Sequence, residues 1–103
     1  MRDKTESAIV RGLIRHLNRN GWNVASVYDG EQDETVRTET EALDLVFNLD
    51  LSRVYFQCRA TDARHSVVLV QGNGSDIISD WNYAEGDPDC FDKLMNEYID
   101  TLN

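Results

Sequence analysis

The sequence predicts an α+β domain in which an antiparallel three- to four-stranded sheet carries helices packed on one face, in the order αβαβββα. Three observations predict it. Apolar residues recur at helical spacing near both ends of the chain, three short β-rich segments follow one another between Val54 and Trp81, and no repeat, low-complexity tract or linker interrupts the 103 residues. One core and one domain, residues 1–103, are what a chain of this length supports.

The first helix is marked by Ile9, Val10, Leu13, Ile14 and Leu17, with Asp3 and Thr5 ahead of them and Arg15, His16 and Arg19 near a stop at Asn20-Gly21. Trp22 to Tyr28 follows as a short strand at a sheet edge, and Asp29 to Glu34, which has no apolar residue, reads as an acidic loop extending to Arg37. Thr38 with Glu41 three residues on forms a capping box for a second helix, whose apolar face is Ala42, Leu43, Val46 and Phe47 and which ends near Asn48.

Val54, Phe56 and Cys58 alternate with Tyr55, Gln57 and Arg59. A polar turn from Ala60 to His65 then leads into Ser66–Val70, so these segments form an antiparallel hairpin. Gly72-Asn73-Gly74 supplies a tight connection to a third strand, Ile77–Trp81. Asp87 as N-cap and Pro88 at the first helical position open the last helix, with Phe91, Leu94, Met95, Tyr98 and Leu102 on one face.

A hydrophobic fraction of 41% favours a folded chain despite the net charge of −9. No continuous apolar run suits a signal peptide or a membrane span, and the acidic surface opposes anionic lipid, so a cytoplasmic protein without membrane contact is expected. Cys58 and Cys90 each lie in an apolar periodic segment and are read as buried thiols. Charge is segmented: residues 1–28 carry +3, 29–50 carry −7, 51–71 carry +2 and 72–103 carry −7. Two acidic blocks disfavour direct nucleic-acid binding, which needs clustered Lys and Arg, and favour basic partners. Arg11, Arg15 and Arg19 make a basic stripe on the first helix, better explained by the helix dipole and the chain's own carboxylates.

Chemistry is sparse. Cys58, His65, Cys90 and His16 lack zinc-ligand spacing, and the Asp29–Glu34 run lacks the glycine and glutamate of a calcium loop, so neither metal nor cofactor is expected. No nucleophile stands in a motif with a base. Gly72-Asn73-Gly74 has no following Lys and is followed by Asp76, which argues for a turn over a phosphate cradle. Asp80, Glu85, Asp87 and Asp89 cluster in sequence as an acid–base pair would, but capping accounts for Asp87 and Asp89.

The informative segment is Val67–Val70, which puts apolar groups on both faces of its strand. One face takes the helices. The other carries Tyr55, Val68 and Val70, with Ile77 or Ile78 according to register, rimmed by Gln57, Arg59 and Asp80.

Val68 through Gly72-Asn73-Gly74, Asp76 and Ile78-Ser79-Asp80-Trp81, with the amphipathic helix after them and the Gly21-Trp22-Asn23 opening, resembles small uncharacterised proteins carried on bacterial phages and plasmids. The resemblance covers the C-terminal third and that opening. It implies a bacterial cytoplasmic setting and an accessory role, and supplies no catalytic residues.

The residues point to a non-catalytic protein-binding or regulatory module, acting on a partner or as a homodimer through Tyr55, Gln57, Val68, Val70 and Asp80 together with Asp29, Glu31, Asp33 and Glu34. A rival reading is an acidic nucleic-acid mimic that occupies the basic groove of a host protein. An enzyme built on paired carboxylates ranks below both.

Overall fold

The computed structural model describes residues 4–81 and 91–102. Among them the chain forms α1 (Lys4–Arg19), β1 (Trp22–Tyr28), β2 (Asp33–Thr35), α2 (Glu39–Val46), β3 (Leu51–Cys58), β4 (Arg64–Val70), a 3-10 turn (Gly74–Asp76), β5 (Ile78–Trp81) and α3 (Phe91–Thr101). The five strands make one antiparallel sheet in the order β2-β1-β3-β4-β5. The α+β class is as expected, with more strands than expected. The difference lies in the acidic stretch: Asp33–Thr35 pairs with β1, which moves β1 from the edge to the interior.

The pairing has a physical reason that composition hides. Strand pairing needs only backbone groups, and Val36, buried at 3% exposure, anchors the segment while its N–H donates to the Ala25 carbonyl at 3.0 Å. A three-residue edge strand bearing Asp33 and Glu34 also resists pairing with another chain.

All three helices pack on one face of the sheet and share a single core with it. From α1, Val10, Leu13 and Leu17 are fully buried, each burial contributing about 1.5–3 kcal/mol. The helix stops where expected: Asn20 donates its side-chain amide to the His16 carbonyl at 2.8 Å, and Gly21 has φ +96°, a conformation costly for other residues. Thr38 caps α2 by accepting from the Glu41 N–H at 3.2 Å. In α3, Phe91, Leu94 and Met95 are buried. Phe91 stacks on His65 with centroids 4.9 Å apart and meets Trp22 edge-on at 4.9 Å. The Asp87-Pro88 cap and Cys90 lie outside the described residues; Cys58 is buried, as expected.

α1 and α3 cross at Gly12. A Cβ there would collide with the Tyr98 hydroxyl, which donates to the Ile9 carbonyl at 2.7 Å. Trp81 ties β5 to α3 by donating its indole N–H to Asp92 at 2.8 Å.

The first of the two hairpins departs in detail from expectation and the second keeps to it. His65 is a buried member of β4, not part of the turn, and both of its ring nitrogens are without a partner among the described residues. At the β4–β5 connection, Gly72 (φ +101°) and Gly74 (φ +59°) take the positive φ angles expected of a turn.

Candidate functional site

Which side chains reach the face away from the helices is set by strand register. In β3, Ser52, Val54, Phe56 and Cys58 point into the core, so Leu51, Arg53, Tyr55 and Gln57 share the opposite face. Register with β4 places Val70, Val68, Ser66 and Arg64 beside them. A bulge at Ala25 completes the arrangement: Val24 pairs with Phe56 but Ser26 pairs with Tyr55. The extra residue reverses the alternation, sending Val27 into the core and Ser26 and Tyr28 to the open face.

The open face is therefore ordered in rows across the strands. One row runs Asp33, Tyr28, Arg53, Val68, Asp80 from β2 to β5, and a second runs Thr35, Ser26, Tyr55, Ser66. Carboxylates stand at both edges and guanidinium groups in the middle. The Arg64 guanidinium lies 4.9 Å from the Tyr55 ring centroid and donates to the Ser26 hydroxyl at 2.6 Å, and Arg53 donates to the Ser66 hydroxyl at 3.1 Å. Both serines are buried. Tyr28 at 37% exposure and Leu51 at 59% are the exposed large apolar residues among those described, and both lie on this face.

Tyr55, Gln57, Val68, Val70 and Asp80 thus share one surface. The rest of the expected patch is corrected. Ile77 is fully buried and Ile78 packs against the core, because the bulge between Val68 and Leu69 turns β5 so that Asp80, and neither isoleucine, faces out. Arg59 is turned away, its guanidinium donating to Asn23 Oδ1 at 2.7 Å and to the Asn18 carbonyl at 2.9 Å. Arg53 and Arg64, the central charges, were not singled out from sequence, although each alternates in phase with Tyr55 or Val68 and was legible from that parity.

The acidic group does not act as one surface. Asp29 Oδ1 accepts from the Glu31 and Gln32 N–H groups at 2.8 and 2.9 Å, with the Gln32 bond the larger cause of a carboxyl held below its ordinary value of 3.8. Glu31 is exposed in the turn, Asp33 joins the open face opposite Tyr28, and Glu34, paired with Val27, lies on the other side and accepts from the Gln32 amide at 2.7 Å. Glu85, Asp87 and Asp89 lie outside the described residues. Among the described residues, no three His, Cys, Asp or Glu side chains gather to hold a metal ion, and no helix is long and apolar enough to cross a membrane.

What the open face offers chemically is an aromatic and aliphatic platform with cationic donors at its centre. Compared with protein-family models, with curated proteins and with solved structures, the chain matches none.

Proposed function

We propose that this chain is a non-catalytic protein-binding module whose open sheet face receives a partner protein or a second copy. The observation that carries the reading is the location of Tyr28 and Leu51, exposed on the one sheet face to which no described helix packs, next to Tyr55, Val68 and Val70. Tyr and Arg at the centre of a patch are the residue types that dominate binding energy. The rows of charge give the partner's chemistry: acidic side chains to meet Arg53 and Arg64, basic ones to meet Asp33 and Asp80. An accessory protein of a bacterial phage or plasmid, the setting implied by the sequence resemblance, fits such a role. The acidic-mimic reading has less support at this face, because Arg53 and Arg64 interrupt the negative field between Asp33 and Asp80.

The test is mass in solution by light scattering across concentration, followed by photo-crosslinking from position 51. A dimer dissociated by Leu51→Glu assigns the face to self-association. A monomer whose crosslinks to one partner vanish with Tyr28→Ser and Leu51→Glu assigns it to that partner. Unchanged association or crosslinking in those variants overturns the proposal.

A further inference from the structure

Arginine is seldom left idle on this molecule. Among the described residues, Arg11 and Arg15 pair with Glu39 at 2.9 and 3.0 Å, Arg53 and Arg64 bond to serines, and Arg59 binds Asn23 and Asn18. The two whose guanidinium groups make no hydrogen bond or ion pair are Arg19 and Arg37, and both line the same cavity, of about 670 Å³. It opens between the C-terminal half of α1, the start of β1 and the segment joining β2 to α2, away from the open sheet face.

The cavity's floor is apolar, made by Ile14, Val24 and Val36. Its lining includes Arg15, Arg19 and Arg37 and the single carboxylate of Glu39, a local net charge of +2 on a chain of −9. Glu39 is already shared between Arg11 and Arg15, so the unmet charge is that of Arg19 and Arg37. Asn23 borders the same space, its Oδ1 fixed by donors from Asn18 at 3.1 Å and Arg59 at 2.7 Å, which holds its amide at the rim.

The geometry points to a binding site for a small organic phosphate: a phosphomonoester dianion between Arg19 and Arg37, with the ester's apolar or ring portion on the Ile14–Val24–Val36 floor. Guanidinium forks match phosphate oxygens bidentately, and two free guanidinium groups match two negative charges. The cavity is in the size range of small-molecule sites. The site rests on different residues from the protein-binding face, so either reading can fail alone.

The experiment is an NMR titration of the labelled chain at low salt with phenyl phosphate, inorganic phosphate and benzylmalonate as probes. Phenyl phosphate is expected to shift amides in residues 14–24 and 36–39 and to bind several-fold more tightly than inorganic phosphate. Its affinity falls roughly tenfold or more in the Arg19→Ala/Arg37→Ala variant, since each lost charge-assisted bond is a substantial share of a weak ligand's affinity. It also weakens as pH drops below about 6, where a phosphomonoester loses its second charge. Arg53→Ala leaves it unchanged. The proposal is overturned by an absence of shifts at about 10 mM, a concentration that detects even millimolar binding. Shifts unaltered by the double variant, equal binding of inorganic phosphate, or tighter binding of benzylmalonate overturn it as well.

Discussion

Two turns of this sheet are held by the same device at opposite ranges. In the β1–β2 turn, Asp29 Oδ1 accepts two backbone N–H groups, from Glu31 and Gln32, at 2.8 and 2.9 Å. In the β4–β5 connection, Glu6 Oε2 accepts two backbone N–H groups, from Gly72 and Gly74, at 2.8 and 2.9 Å. Asp29 reaches two and three residues along the chain, whereas Glu6 reaches from the first turn of α1 to a loop 66 and 68 residues away and is 2% exposed. The glycine turn that lacks the signature of a phosphate cradle does hold an anion, and the anion is the protein's own. Identical geometry thus closes a loop locally in one place and docks a helix onto a sheet in the other.

The largest effect belongs to Glu6. Glu6→Ala leaves two loop N–H groups without their buried acceptor and is expected to cost about 3 kcal/mol, read as a lower urea midpoint with unchanged slope. Glu6→Gln keeps an acceptor oxygen and is expected to lose less, about 1–2 kcal/mol. A loss below about 0.5 kcal/mol for Glu6→Ala, the range of ordinary surface substitutions, would mean that the long-range clamp is no more than a surface contact.

That contrast also explains what the sequence revealed. The helix end at Asn20-Gly21, the Thr38–Glu41 box and the alternation of β3 are signals contained within a few residues, and they appear in the structure where they were expected. The same alternation places Tyr55, Val68 and Val70 on one face. Glu6 looks like an ordinary acidic residue at a helix start, because nothing near it signals a partner beyond residue 70. Gly12 likewise looks like a weak point in a helix until Tyr98 arrives across it. β2 was missed because three polar residues carry no burial pattern, and the Ala25 bulge because an extra residue is visible only against its partner strand. Arg64 meets the Ser26 hydroxyl because that bulge sends Ser26 to the open face.

A second long-range anchor sharpens the comparison with a smaller effect. Tyr98 donates to the Ile9 carbonyl, and burial raises its phenol above the ordinary value of 10.0. The folded state therefore favours the neutral phenol. This contribution is intact below pH 10.0 and is lost as pH rises through the higher folded value. Tyr98→Phe is expected to lower stability by about 1 kcal/mol at neutral pH. The variant's urea midpoint should then fall less than that of the native chain between neutral pH and pH values above 10.0. Parallel alkaline losses in both proteins would separate the tyrosine from the alkaline limb.

The smallest effect is at Asp29, whose turn stays assembled by local bonds. Its carboxyl is held below 3.8 by the Gln32 and then the Glu31 N–H, so its contribution is present above pH 3.8 and disappears as pH falls through the lower folded value. Asp29→Asn retains a side-chain acceptor and should leave the fold and the neutral-pH midpoint nearly unchanged. In the native chain the Glu31 and Gln32 amide resonances should titrate with a midpoint below 3.8, and in Asp29→Asn that transition should be absent. A midpoint at or above 3.8 would show that the charge does not hold the turn. The Asp29 half of the comparison would then reduce to the Gly30 conformation, φ +103°, and the Asp29 N–H bond to the Gln32 carbonyl, while the Glu6 half would stand on its own.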